Sequence, residues 1–280
     1  MIFASDLDRT LIYSNKFTQG LSEQIEVVET GKYSSYMTKN AAELLKIIAS
    51  RTLFVPCTTR TIEQYLRIGF FQSEIRPKYA IVSNGANLLV DGALDITYKN
   101  DVLHKLQREC LAGQDLLAEF SRLEANAWAQ PMRNADGVFY YCIINREKAP
   151  LQELAAFNKW AQEQKWVISI QGRKLYLIPN VINKWAALKK VSELSGENYV
   201  IAAGDSLLDL PLIQGAHLAL SPAHGELFEQ FGASPDRRQD NWLFTAASGL
   251  LAGEELLKTT LLLSLRAQRG NPEVILSKER

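Results

Sequence analysis

The chain has 280 residues, of which 47% are hydrophobic and 22% charged, so a sizeable core is available and a disordered chain is excluded. Lys+Arg and Asp+Glu both number 31, and with zero formal net charge no overall field draws the protein to nucleic acid or to an acidic membrane. Cys57, Cys110 and Cys142, like His104, His217 and His224, are scattered without the spacing of a zinc site or a disulfide framework, which predicts reduced thiols and a cytoplasmic protein.

Residues 1–5 are a short apolar run that ends at Asp6 and Asp8, the pattern of a buried strand delivering acids at its C-terminal end. Residues 11–37 are polar and weakly patterned and read as loop or flap. Asn40 with Glu43 resembles a capping box that opens a helix over 41–50, with Leu44, Leu45, Ile47 and Ile48 toward a core. A second strand, 52–56, runs into Cys57-Thr58-Thr59-Arg60, and Thr61 is placed to cap the next helix. A third strand, 79–83, is closed by the turn pair Asn84-Gly85. This alternation of strand and helix predicts a parallel sheet with covering helices.

The middle of the chain changes style. The pattern predicts a helical segment over 101–125, a strand over 138–144, and a helix over 150–164 with Leu151, Leu154, Phe157, Trp160 and Ala161 on one stripe. Two further strands, 165–170 and 174–178, flank the hairpin signal Gln171-Gly172-Arg173. Residues 86–180 therefore read as an α+β module inserted into a first domain made of 1–85 and 181–280. Asn84-Gly85 and Pro179-Asn180 are the expected crossings and hinges. The module carries aromatic residues, among them Trp128, Tyr140, Tyr141 and Trp166, of which about half are expected in its own core.

After the module the first style returns. A helix over 184–194 is stopped by Gly196, and a strand over 199–203 ends in Gly204-Asp205-Ser206-Leu207-Leu208-Asp209. A short helix to 214, a last strand over 217–220 and helix beyond about 250 complete the pattern. The apolar stretch 242–265 is interrupted by Glu254, Glu255 and Lys258 and is too short and charged to span a bilayer. Asp6 arrives too early for the apolar region of a signal peptide. Residues 269–280 are expected to be disordered. The fold class is α/β: a Rossmann-like parallel sheet with helices on both faces, plus the inserted α+β domain.

Two strands of such a sheet end in aspartates, Asp6 with Asp8 on one and Asp205 on the other. Ligands of open α/β sheets bind beyond the carboxyl ends of the strands, so these acids converge on one crevice. Carboxylates gathered there repel one another and call for a cation, and an all-oxygen set without histidine or thiolate suits Mg²⁺.

These residues carry a resemblance to the haloacid dehalogenase (HAD) superfamily, which is mostly phosphatases. Asp6-Leu7-Asp8-Arg9-Thr10 is similar to its DxDxT strand end, Thr58 to its second motif, Lys184 to its third, and Gly204-Asp205 through Asp209 to its acidic fourth. The resemblance covers roughly 1–85 and 180–250, and the insert sits where the C2-type caps of Cof-like and sucrose-phosphatase-like groups sit. It implies a Mg²⁺-dependent phosphatase acting on a small phosphate ester, a sugar phosphate or nucleotide-like molecule, with no nucleic-acid or membrane partner; oligomeric state is left open. Asp6 is then the nucleophile, forming an aspartyl-phosphate, and Asp8 the acid and base. Asp6, Asp8 through its backbone carbonyl, and Asp205 hold Mg²⁺, with Asp209 behind them or bound through water. Thr58 and Lys184 bind the phosphoryl group, and Arg60 reaches substrate phosphate or a carboxylate.

Arg9 stands where this family usually has glycine, Thr59 where Cof-like groups usually have glycine, and Leu208 where they often have asparagine. Two alternatives share these residues. A phosphomutase would use the same core and differ in the insert, and a non-catalytic binding protein would keep the fold alone.

Overall fold

The computed structural model describes residues 1–21, 25–31, 34–232 and 240–268. The expected disorder of 269–280 lies outside the described residues. The chain folds as two compact units, Met1–Ala93 with Lys184–Arg280, and Leu94–Asn183. The division thus falls at Leu94 and Lys184 rather than at 86 and 181, because the strand after Asn84-Gly85 turns back onto the first unit.

The first unit begins with β1 (Ile2–Ser5), fully buried, followed by a segment that reads as loop in the sequence and is structured in the molecule. Here β2 (Tyr13–Ser14), β3 (Ile25–Glu29) and β4 (Ser35–Thr38) form an antiparallel sheet in the order β2-β4-β3. Helix α1 (Lys39–Arg51) is capped by Thr38, whose hydroxyl accepts from the Ala41 amide at 2.9 Å, rather than by Asn40 and Glu43. Its Leu45 and Ile48 are fully buried, while Ile47 is exposed. Strand β5 (Leu53–Pro56) follows, then α2 (Ile62–Leu66) and α3 (Gly69–Ser73). Thr61 and Gln64 form a reciprocal capping box at α2. β6 (Tyr79–Val82) pairs antiparallel with β7 (Asn87–Val90) across the Asn84-Gly85 turn, in a small sheet with β8 (Ala93–Leu94).

The second unit contains α4 (Ile96–Glu109), α5 (Gly113–Ser121), β9 (Arg133–Ala135), β10 (Phe139–Ile143), α6 (Leu151–Glu163), β11 (Trp166–Gln171) and β12 (Lys174–Pro179). The predicted helix over 101–125 is two helices. The chain breaks at Leu111, whose amide donates to Gln164 O at 3.2 Å and whose carbonyl accepts from Trp166 Nε1 at 2.9 Å. The four strands run β11-β12-β10-β9, all antiparallel, around Leu116, Phe120, Trp128, Phe157, Trp166 and Leu175. Leu151, predicted on the buried stripe of α6, is exposed.

The chain returns to the first unit with α7 (Lys184–Ser195), which ends at Gly196 with φ 74, a left-handed C-terminal stop. Then come β13 (Val200–Ala203), α8 (Leu210–Gly215), β14 (Leu218–Ser221), α9 (Glu226–Phe231), β15 (Trp242–Phe244) and α10 (Leu250–Gln268). The strand over 217–220 is not the last, because three residues from Trp242 form β15 and extend the sheet by pairing with β14. The resulting sheet is parallel, in the order β15-β14-β13-β1-β5. α1 packs on β5 and α10, and α8 on β13, β14 and α7. Among the described residues no helix is long and apolar enough to cross a membrane. The three cysteines are free thiols, Cys57 and Cys142 buried.

Candidate active site

The order β13-β1-β5 brings three strand ends side by side. Ser5 stands opposite Ala203 on one side and Pro56 on the other, so the next residues, Asp6, Gly204-Asp205 and Cys57-Thr58, leave the sheet together. The Asp6 amide donates to Ala203 O at 2.9 Å, and the Cys57 amide to Ser5 O at 2.7 Å. The sequence therefore places its acids by ending apolar strands, whose burial fixes where the polar residues emerge.

Asp6, Asp205 and Asp209 form a buried cluster, with one carboxylate oxygen from each within 4.8 Å of the others. Lys184, at the first position of α7 and 1% exposed, sits among them. Its Nζ donates to Asp6 Oδ1 at 2.6 Å and to Asp209 Oδ1 at 2.5 Å. Thr10 Oγ1 donates to Asp6 Oδ2 at 3.1 Å. A cation at a helix start opposes the helix dipole, and two buried carboxylates outweigh that penalty.

Asp209 Oδ1 takes Lys184, while Oδ2 accepts from the amides of Asp205 at 3.2 Å and Ser206 at 3.0 Å and from the Ser206 hydroxyl at 2.9 Å. It thereby folds the Gly204–Leu208 loop and holds Lys184. Gly204 permits this: a Cβ there would stand 2.4 Å from Asp209 Cβ. On the other side of Asp205, a Cβ on Gly225 would meet Asp205 O at 2.4 Å.

Asp8 does not join the cluster. Its side chain is half-exposed and gripped bidentately by Arg60, Nε to Oδ2 and Nη2 to Oδ1, both at 2.8 Å. Arg60 is itself anchored by Glu29, which accepts from its Nη1 at 2.7 Å, and by Ser35 Oγ at 3.1 Å. Burial disfavours the Arg60 cation, but Asp8 and Glu29 more than offset that and hold it charged. Of the two destinations expected for Arg60, the carboxylate is the one occupied.

Thr58 is fully buried and does not cap α2, a role taken by Thr61. Its Oγ1 accepts from the Arg60 amide at 3.1 Å, and its carbonyl from the Asn84 amide at 2.9 Å. Arg9 has φ 68, in the left-handed region that favours glycine. It is held there by His224, whose Nε2 donates to Arg9 O at 2.9 Å while its Nδ1 accepts from the Gly249 amide. The Arg9 guanidinium donates to His224 O from Nη2 at 2.9 Å, and its Nε lies 3.5 Å from Asp205 Oδ2.

Burial pushes the Asp6 carboxyl up to about 7 even though Lys184 opposes it. Asp205 is raised well above the carboxylate range, first by burial and then by the Asp6 and Asp209 charges, with Arg9 and Lys184 opposing. Lys184 is buried, but Asp209 and Asp6 hold it firmly as a cation. Crowded, dehydrated carboxylates with only oxygen donors are what a hard divalent cation relieves, so Asp6 and Asp205 fit Mg²⁺.

Glu29, Ser206, Gly225 and His224 escape a reading of the sequence. Glu29 sits in a weakly patterned stretch, and its partner Arg60 is remote in sequence; only Gly225 and His224, a glycine and a histidine near a strand end, leave any trace.

Known solved structures share this architecture. A sucrose-phosphatase from Synechocystis sp. PCC6803, solved with sucrose and phosphate, aligns with a TM-score of 0.65 at 14% identity over 94% of this chain and 97% of its own. A sugar phosphatase of HAD subclass IIB aligns with a TM-score of 0.64 at 11% identity, over 94% and 99%. The chain has the HAD fold. A trehalose-6-phosphate phosphatase related protein shares that fold with a TM-score of 0.53 at 15% identity, over 95% and 100%. No protein-family profile and no curated protein sequence matches the chain. The HAD fold thus persists here at identities where sequence comparison alone finds nothing.

Proposed function

We propose that the protein is a Mg²⁺-dependent phosphatase that hydrolyses a small phosphate ester through an aspartyl-phosphate on Asp6. One observation carries this reading. A nearly fully buried carboxylate at a strand end is paired at 2.6 Å with a buried lysine, beside a second buried carboxylate, in a HAD fold. Asp6 is held by Thr10 and Lys184 in one orientation, which pre-pays the entropy of attack.

An Asp6 oxygen attacks phosphorus, the bond from phosphorus to the ester oxygen breaks, and the alcohol departs with a proton from Asp8. Asp8 then takes a proton from water as the water attacks phosphorus, the bond to Asp6 breaks, and inorganic phosphate leaves. Lys184 neutralises charge on Asp6 and on the phosphoryl group, and the Thr58 hydroxyl donates to a phosphoryl oxygen. Asp6 and Asp205, with the Asp8 carbonyl, would hold Mg²⁺, which would supply the positive charge that lets an anionic carboxylate approach an anionic phosphate. In the free protein Arg60 holds the Asp8 carboxylate on both oxygens, and Asp8 leaves that grip to carry the proton that it gives to the alcohol. Leu94–Asn183 acts as the substrate-selecting cap, and a sugar phosphate is the favoured class because the sucrose-phosphatase and the subclass IIB enzyme carry sugar names. Acid quenching during turnover, followed by peptide mass spectrometry, is expected to find the phosphoryl group on the Asp6 peptide. A phosphoryl group elsewhere, or turnover with no covalent species under conditions that trap aspartyl-phosphates, would sink the mechanism.

A further inference from the structure

The cluster at the strand ends holds three buried carboxylates, Asp6, Asp205 and Asp209. Two cations already answer them. Lys184 bridges Asp6 and Asp209, which leaves Asp205 to Arg9, with Nε 3.5 Å from Oδ2. Arg9 is not a casual surface contact. Its backbone adopts φ 68, a conformation that side-chain-bearing residues disfavour, and the His224 imidazole holds that backbone by accepting from Gly249 and donating to Arg9 O. Nη2 is fixed on His224 O, which aims the rest of the guanidinium at Asp205. Nε is buried and, among the described residues, makes no hydrogen bond of its own; the carboxylate it faces is Asp205.

Resting on the phosphatase reading, we infer that Arg9 is a built-in counter-ion of Asp205 that competes with Mg²⁺ and lowers the affinity of the site for it. The guanidinium and the metal need the same carboxylate. A metal that enters must share Asp205 with a fixed positive charge or displace it, and either costs binding free energy. In return Asp205 is not left buried beside two other acids without a counter-charge.

The test measures Mg²⁺ binding by calorimetry on metal-stripped full-length protein, for wild type, Arg9→Gly, Arg9→Asn and Arg9→Lys. Gly and Asn suit the left-handed backbone and remove the charge; Lys keeps it. Arg9→Gly and Arg9→Asn should bind Mg²⁺ about tenfold more tightly, the scale of Coulomb repulsion between a single and a double positive charge sharing one carboxylate in a water-like dielectric. Arg9→Lys, which keeps the charge but not the fork that aims it, should bind Mg²⁺ with an affinity between those of wild type and Arg9→Gly. The rise in melting temperature on adding Mg²⁺ should be larger for Arg9→Gly than for wild type. Equal or weaker Mg²⁺ binding by both Arg9→Gly and Arg9→Asn overturns the inference and leaves the phosphatase reading standing. No binding by any variant, wild type included, overturns the metal assignment itself and this inference with it.

Discussion

Asp6 and Lys184 set the behaviour of the site at the scale of single residues. The Asp6 carboxyl is raised from 3.8 to about 7, chiefly by burial. The unfolded chain releases this proton at ordinary acid pH while the folded metal-free protein keeps it. The folded state thus binds more protons between those values. Its stabilising contribution is fully present below 3.8 and is lost as pH rises to about 7. Melting temperature in EDTA should therefore fall between pH 5 and 7.5 more steeply for wild type than for Asp6→Asn; superimposable profiles would contradict the burial argument. Lys184 is the other half of this pair. Lys184→Met fills the space but leaves Asp6 and Asp209 without their cation, and we expect a loss of about 3–5 kcal/mol in urea unfolding, together with loss of activity. The DxDxT and GDSLLD signatures are legible at this scale because apolar strands ending in acids are rare. The hydrogen bonds of Asp209 are not, because nothing local reveals that its oxygens accept from Lys184 and from the backbone of its own loop.

Elements are legible where a regular period runs unopposed, as in α1, α7 and the buried strands. They are lost where long-range contacts decide the matter. The β2-β4-β3 sheet hides a buried Glu29 where an apolar residue would have advertised the strand, and that carboxylate is tolerated because Arg60, Arg67 and the Ser35 hydroxyl reach it. The break between α4 and α5 contains no proline; it exists because Leu111 is tied to Gln164 and Trp166. β15 is three residues long and pairs only at the sheet edge. Thr38 Oγ1 accepts from the Ala41 amide and donates to Glu254 Oε2 at 2.7 Å, joining the α1 cap to α10. Thr38→Ala should destabilise the protein by about 2 kcal/mol, with an unchanged denaturant slope in urea unfolding. A change below about 0.5 kcal/mol would show that neither bond contributes.

For the whole molecule, the inserted arrangement is legible because the chain returns to its opening style after residue 180, whereas the boundaries shift because strand pairing, not composition, sets them. TM-scores of 0.53–0.65 over 94–95% of the chain establish the fold, at identities of only 11–15%. The proposed chemistry rests on Asp6. The most direct measurement is hydrolysis of a panel of sugar phosphates, nucleoside monophosphates and an aryl phosphate, with Mg²⁺ and with EDTA, by wild type and Asp6→Asn. The account predicts turnover that requires Mg²⁺ and falls by at least about a thousandfold in Asp6→Asn. Turnover that survives in Asp6→Asn or in EDTA would contradict it.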